Sequence, residues 1–554
     1  MTASSRASWP EGLSRRLPGL RSSSCGLLAR TVSDTAPLSY GADLAARVER
    51  WADHRPDAVA VSFEEAEHSY RSFADQIVVT AGWLADAGIG EGDRVAWLGP
   101  NRPAALQLML ACSWLGAIYL PLNSRLAPPE HRWILDHAGA ALLTTDSAFV
   151  DHAASIGAAC ETRVAPDEPD CFSTPDPAPP RRGTPAHPVL LAYTSGTTGH
   201  PKGALLDQAA MSANAVNSTH AHDLTSHDRV LTTIPLFHVG GLNIQTLPAL
   251  LGGAAVRLQR AFDAGQFLDD VETWQPTWTV LVPAALTAVA AHPRFAGADL
   301  GSLHGIMTGS SPVPAAATRP FFDRGVPVGQ IYGSTETAPI AVHLRCDEAA
   351  SHSGSCGKPS TMCEVRIVGA GGEDVATGER GELWVRGPSV LREYWNDPQA
   401  TAAALTDGWF HTGDIGHADA DGWIFIDDRR TDLIISGGEN IYPAELEDVL
   451  SGTDLVAEST IVGVPDERWG AVPVIVAVPA SPGAGEPDAD DDETAAKLLR
   501  LFDGRLARFK HPKAVVWLDE LPRTALGKVR KHEVKALLAA RSSTHDDGRT
   551  PHER

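Results

Sequence analysis

The sequence predicts an α/β protein: a large N-terminal portion of two parallel-type α/β sheets plus a small β-rich subdomain, followed by a small α+β C-terminal domain. Three observations lead to this. From about residue 42 to 340, short apolar runs alternate with amphipathic segments of helical period, the pattern of parallel strands covered on both faces. From about 354 to 428 the texture changes to short strands set off by Gly and Asp turns. After Arg429 a compact mixed unit runs to about residue 540. The expected division is therefore 1–36 as a loose Ser- and Arg-rich extension, 37–428 as the large domain, 429–540 as the small one, and 541–554 as a polar tail. At 554 residues the chain also exceeds the ~250–300 at which a single core stops growing.

The elements follow in order. Residues 94–98 read as a strand, followed by a helix from Asn101. The run 104–122 is apolar enough to suggest a membrane span, interrupted by Gln107, Ser113 and Pro121. It divides at Gly116 into a buried helix and a strand over 117–120, because Pro121 donates nothing to a ladder; no membrane anchor is expected. Further strands are expected at 141–145, 189–193, 277–282 and 305–308, with 175–188 as a Pro-rich surface connection. In the β-rich part they are expected at 364–368, 381–385 and 422–426. The acidic stretch holding Glu486, Asp488, Asp490, Asp491, Asp492 and Glu493 reads as a solvated surface loop.

Composition narrows the function classes. Lys and Arg total 46 against 69 Asp and Glu, a net charge of −23 that disfavours nucleic-acid or anionic-membrane partners. With 43% hydrophobic and 21% charged residues, the chain is globular in composition. Seven cysteines, without a C-x-x-C pair, suggest neither a disulfide framework nor a zinc site, and fit a reducing cytoplasm. The apolar stretch 26–29 is too short for a signal-peptide core.

Four loops carry the chemistry. The segment 193–203 holds Thr194, Ser195, Gly196, Thr197, Thr198, Gly199, Lys202 and Gly203. Its glycines let the backbone fold closely around an anion, its hydroxyls donate, and Lys202 adds positive charge. It is not a Walker A loop, since Gly196 and Gly199 are too close together and Gly203 follows Lys202. In the segment 330–336, Tyr332 offers an aromatic face for a base, Ser334 and Thr335 offer hydroxyls, and Glu336 a carboxylate able to hold Mg²⁺ beside phosphates. The segment 409–414 ends on Asp414, placed after a glycine turn to accept from ribose hydroxyls. The segment 521–528 ends on Lys528, on a flexible Gly-containing loop.

Together with residues 378–383 and the run 428–443, these loops resemble the adenylate-forming superfamily of acyl-CoA synthetases, adenylation domains and luciferases. The likeness spans roughly residues 40 to 540 in the family's motif order, and makes 37–428 an AMP-binding domain. It implies that Thr194, Ser195, Gly196, Thr197, Thr198 and Lys202 hold the ATP phosphates, with Thr198 and Glu336 near Mg²⁺. It places Ser311, Gln330, Tyr332 and Thr335 around adenine and the α-phosphate, and Asp414 and Arg429 on the ribose. Lys528 corresponds to the lysine that bridges the carboxylate and the α-phosphate during adenylation. In the family the C-terminal domain is a mobile cap that rotates for a second half-reaction, in which a thiol attacks the acyl-adenylate. Gly437 and Gly438 would then line the thiol tunnel. A hinge is implied two residues after Arg429, where many relatives carry Lys or Asp and this chain carries Thr431.

The segment 235–242 resembles the acid-binding segment of fatty-acyl and aryl-CoA ligases. It lacks the Asp with which amino-acid-activating relatives hold an α-ammonium. A fatty or aromatic acid without an α-amino group is expected, with His238 gating or walling its pocket and acting in catalysis beside Lys528, Thr335 and Glu336. Gly309, Ser310 and Gly333 are assigned to the same pocket; Ser310 departs from the commoner Gly and adds bulk and a hydroxyl. The expected activity is ATP-dependent acid–CoA ligation, with ATP, Mg²⁺ and coenzyme A as cofactors. The rival is transfer to an acyl carrier protein thiol or another nucleophile; no fused carrier domain is expected after Lys528. A non-catalytic ligand-binding member is disfavoured by the joint presence of Glu336, Asp414, Arg429 and Lys528.

Overall fold

The computed structural model describes residues 42–165, 178–194, 201–309, 313, 315–369, 371–429, 434–451, 453–479, 489–522, 529 and 531–545. The expected extension 1–36, the hinge residue Thr431 and most of the tail 541–554 lie outside these residues.

Two large sheets form the N-terminal portion. One has nine strands, its centre built from Val59–Phe63, Ala255–Leu258, Arg229–Thr232, Trp278–Val280, Gly305–Gly309 and Val328–Tyr332, each parallel to its neighbour. The other has seven, with Glu161–Val164, Leu142–Thr145, Arg94–Leu98, Ile118–Pro121 and Pro188–Thr194 running parallel. Both sheets are mixed, because antiparallel strands close their edges: Ala66–Ser69, Val342–Leu344 and Lys358–Pro359 in the first, Lys202–Asp207 and Glu393–Tyr394 in the second. A parallel centre with antiparallel edges is common in large α/β sheets.

The apolar run resolves as expected into a helix, Pro103–Leu115, and a strand, Ile118–Pro121. Gly116 ends the helix at φ +74°, a left-handed conformation that glycine adopts without strain. The helix is buried on nearly every face, which is why it reads as a span; its Leu106, Met109 and Leu110 pack with Phe73 and Ile77 of the helix Tyr70–Asp86. Among the described residues no helix is long and apolar enough to cross a membrane. The strand ends on Pro121 rather than before it: Pro121 stands opposite Trp97 at the last register position, where its missing donor costs nothing.

A third sheet follows, of Glu364–Val368, Gly381–Arg386, Trp409–Ala418, Leu405–Thr406 and Ile424–Arg429, all antiparallel. From Ile434 onward the chain builds its own core, around Ile434, Leu446, Ile461, Ile475, Phe502 and Leu506. Its sheet pairs Val456–Asp466 with Gly470–Pro479, flanked by the helices Pro443–Ser451, Ala489–Arg500 and Lys531–His545. The acidic stretch is corrected here. Glu486 and Asp488 lie outside the described residues, but Asp490 to Glu493 open the helix Ala489–Arg500 rather than a loop. Acidic residues favour the positive end of a helix dipole, and Glu493 pairs with Lys497 one turn on at 2.8 Å.

Buried histidines give this fold an acid-sensitive core. Burial pushes His131, His222 and His343 each down to about 4. In the unfolded chain they titrate near 6.5, so below that pH the unfolded state binds more protons. Their contribution is complete above about pH 6.5 and lost as pH falls towards about 4, at ~1.4 kcal/mol per pH unit for each. Calorimetric scans are expected to show the unfolding midpoint dropping through this window, with uptake of roughly two to three protons per molecule near pH 5. A midpoint constant from pH 6.5 to 4 would contradict this.

Candidate active site

A cavity of about 280 Å³ opens where the two large sheets, the third sheet and the C-terminal portion meet. The strands Pro188–Thr194 and Lys202–Asp207 run antiparallel with Thr194 opposite Lys202, and both residues line the cavity. Glu393–Tyr394 adds to the same sheet, with Tyr394 across from Ala204. This sets the Tyr394 ring against Lys202, whose Nζ lies 5.3 Å from the ring centroid. The Tyr394 hydroxyl donates to Glu336 Oε1 at 2.8 Å. Burial and the neighbouring Glu336 carboxylate push the Tyr394 phenol well above its ordinary range, so it remains a donor. Glu336 sits on the turn Thr335–Thr337, just past the strand Val328–Tyr332, and is 9% exposed.

Opposite this cluster lies Asp414, in the strand Trp409–Ala418. The Tyr332 hydroxyl donates to Asp414 Oδ2 at 2.8 Å, and Asp414 stands opposite Arg429 in the sheet register. Burial, and then Asp414 itself, raise the Tyr332 phenol far above its ordinary range. The lining also includes the apolar side chains of Ile234, Val239, Ile244 and Ile331. Gly333 lies there because a Cβ at this position would stand 1.8 Å from Pro339 O.

The C-terminal portion completes the rim. The strands Ile434–Ser436 and Glu439–Ile441 form a hairpin whose two turn residues, Gly437 and Gly438, have φ of +58° and +84°. Both are positive, as in a type I′ turn, which accounts for the paired glycines in backbone terms. Gly438, Asn440 and Tyr442 face the cavity. Glu439, 4% exposed, takes hydrogen bonds from Arg125 Nη1 at 2.5 Å and Asn123 Nδ2 at 3.4 Å, and its Oε2 lies 3.1 Å from His238 Nε2. Burial works to raise the Glu439 carboxyl, but His238 and Arg125 outweigh it and hold the group below its ordinary range.

Of the residues singled out from sequence, Thr194, Lys202, His238, Gly333, Thr335, Glu336, Asp414 and Gly438 line this cavity. Gln330 and Tyr332 are not among its described lining; Tyr332 stands behind Asp414. Gly309 ends the strand Gly305–Gly309, where a Cβ would meet Ile331 O at 2.3 Å, and Gly437 lies under the Trp469 ring. Ser195, Gly196, Thr197, Thr198, Ser310, Ser311 and Lys528 lie outside the described residues, as does the side chain of Arg429. Tyr394, Phe410, His411, Asn440 and Tyr442 join the lining without having been assigned a role from sequence. His411, Asn440 and Tyr442 fall inside quoted motifs, whereas Tyr394 has no local signal at all.

The chemistry of the donors fits Mg²⁺ held mainly through ATP. No group of three or more His, Cys, Asp or Glu side chains able to hold a metal occurs among the described residues. Two carboxylates, Glu336 and Asp414, line the cavity with Thr335 and Lys202, and Asp414 is engaged by the Tyr332 hydroxyl. That suits an ion that keeps several waters and binds through one or two carboxylates plus substrate phosphates.

Comparison with known proteins agrees with this geometry. A family model described as AMP-binding enzyme matches residues 48–395, and one described as AMP-binding enzyme C-terminal domain matches 445–528. The indoleacetate–CoA ligase of Aromatoleum aromaticum is 46% identical over 513 residues, covering 90% of this chain and 99% of that protein. The feruloyl-CoA synthase of an Amycolatopsis species is 43% identical, covering 87% and 96%. A double mutant of the o-succinylbenzoate CoA synthetase of Bacillus subtilis, bound to a CoA product analogue, is 31% identical, and the match covers 88% of this chain and 98% of that one, with a TM-score of 0.79. The same enzyme bound to ATP and magnesium, at equal identity and covering 88% and 99%, gives 0.66. The chain belongs to the AMP-binding enzymes, the family of adenylate-forming acyl- and aryl-CoA ligases.

Proposed function

We propose that the protein activates an aromatic carboxylic acid with ATP and transfers the acyl group to coenzyme A. One observation carries the choice of acid: the described lining includes an apolar set formed by Ile234, Val239, Ile244 and Ile331. About 280 Å³ must also accommodate the reacting end of ATP, which favours a compact ring over a long chain. Relatives named for indoleacetate, ferulate and o-succinylbenzoate support the same reading.

In the first step a carboxylate oxygen attacks the α-phosphorus and pyrophosphate leaves, giving an acyl-adenylate. Attack brings two anions together, so positive charge in the cleft lowers the barrier. Lys202 and the loop 194–198 are assigned to the phosphates, and Thr335 with Ser311 and Gln330 to the α-phosphate and adenine. Tyr332 orients Asp414, which with Arg429 takes the ribose, and Lys528 bridges carboxylate and phosphate. Glu336 and Thr198 would hold Mg²⁺, which when bound would supply further charge neutralisation. In the second step the CoA sulfur attacks the acyl carbon, AMP departs, and the thiol proton is released. Gly437 and Gly438 shape the thiol approach, while His238 closes the acid pocket walled by Gly309, Ser310 and Gly333. The two portions act as separate domains, divided near 428/429 with Thr431 at the hinge. Five free cysteines among the described residues (Cys112, Cys160, Cys346, Cys356 and Cys363) support a cytoplasmic location.

Acid-dependent pyrophosphate exchange, run with arylacetic, arylacrylic, fatty and amino acids and then with CoA added, tests this. Exchange is expected with aromatic acids, and thioester on adding CoA. Faster exchange with fatty acids would overturn the choice of acid, and no exchange with any acid would overturn the enzyme reading. Exchange without thioester would favour a carrier-protein thiol or another acceptor.

A further inference from the structure

Lys510 is buried at 3% exposure, is not among the described lining of the reacting cavity, and contacts two carboxylates. Its Nζ lies 2.7 Å from Glu130 Oε1 and 2.7 Å from Glu445 Oε1. Glu445 belongs, like Lys510, to the C-terminal portion, in the helix Pro443–Ser451. Glu130 belongs to the N-terminal portion, in the first turn of the helix Pro128–Ala138. The ion pair therefore crosses between the two.

The residues around it show that this edge is where the portions dock. Ala507, next to the short turn Arg508–Lys510, is buried within the N-terminal cluster of Leu98, Leu120 and Ile134. Phe509 packs against that cluster and against the C-terminal core. Glu130 and Glu445 border a separate groove with Trp133, Pro201 and Arg505, so neither carboxylate belongs to the reacting cavity. Apolar contact supplies attraction without register; a buried charge pair adds register, because it is satisfied in one placement.

Both partners are also held independently of each other. Glu130 Oε2 accepts from Ala127 N at 2.9 Å, and Lys510 retains Glu445. Burial works against the Lys510 charge, but the two carboxylates outweigh it and keep the ammonium protonated. Separation therefore strands no buried charge, the circumstance that makes broken buried pairs so costly. The contact is built to be made and released.

We propose that the Glu130–Lys510 ion pair positions the C-terminal portion for the CoA-transfer step and is given up for adenylation. The inference rests on the two-step reading above. It also draws on the better overall match to the product-analogue complex, at TM-score 0.79, than to the ATP complex of the same relative, at 0.66. In this placement Gly438, Asn440 and Tyr442 face the cavity. Glu130 and Lys510 are positioning residues: they act through the hairpin and touch no reacting atom.

The test is E130Q in the full-length enzyme, with the two half-reactions measured separately. Glutamine keeps an oxygen for Ala127 N and removes the charge that meets Lys510. Thioester formation from preformed acyl-adenylate and CoA should slow about 10- to 100-fold, while pyrophosphate exchange is unchanged or faster. K510M should slow the same step, and E130Q should add little in that background. An equal loss in both half-reactions would assign Glu130 a merely structural role and overturn the proposal, as would full additivity or no change in either step. If the unmodified enzyme exchanges pyrophosphate but forms no thioester, the CoA reading fails and the proposal with it.

Discussion

Replacing Lys528 by alanine is expected to slow acid-dependent pyrophosphate exchange by about 10²–10³-fold, the largest effect of any single side chain here. The reasoning is electrostatic. A carboxylate nucleophile and an α-phosphate repel, and a positioned ammonium relieves that repulsion most where the two are closest, in the transition state. ATP affinity, measured by equilibrium titration, should change by less than roughly threefold, because phosphate binding is assigned to Lys202 and the loop 194–198 and not to Lys528. Transfer from preformed adenylate to CoA should be spared, since in the placement present here the C-terminal portion offers the cavity Gly438, Asn440 and Tyr442. Undiminished exchange would overturn the assignment of Lys528.

Glu336→Gln is expected to lower the adenylation rate about 100-fold and to raise the Mg²⁺ concentration needed for half-maximal exchange. The substitution separates two roles. The Tyr394 hydroxyl, 2.8 Å from Glu336 Oε1, still finds an amide oxygen to accept its proton, so the fold around the turn Thr335–Thr337 is kept. What is lost is the negative charge that Glu336 presents to the cavity, which Thr335 and Lys202 also line. A Mg²⁺ titration of pyrophosphate exchange reads this directly, with the unfolding midpoint as a control for structure. Unchanged Mg²⁺ dependence would reduce Glu336 to an acceptor for Tyr394.

Local features were legible in sequence where neighbours along the chain decide them. The strand expected at 94–98 forms at Arg94–Leu98, that at 364–368 at Glu364–Val368, and the apolar run divides at Gly116. In each, alternation, a glycine or a proline acts within a few residues. The acidic stretch was misread because charge suggests solvent, and solvent exposure does not distinguish a loop from the first turns of a surface helix such as Ala489–Arg500. The antiparallel edges of both large sheets were not legible, since an edge is defined by what fails to pair beyond it.

The site divides in the same way. The motif residues Thr194, Lys202, Thr335, Glu336 and Asp414, which line the cavity, were recognisable because an anion-binding loop needs particular residue types close to glycine. Their sequence identified the family and the chemistry. Tertiary structure alone decided that Tyr394 reaches both Lys202 and Glu336, through a two-strand addition at a sheet edge. It also decided that Glu439 meets Arg125 and His238, and that Lys510 meets Glu130 across 380 positions of chain. The physical reason is range. Backbone conformation and loop chemistry are set by adjacent residues, whereas a buried charge is matched by whichever partner packing brings within about 3 Å, however distant in sequence.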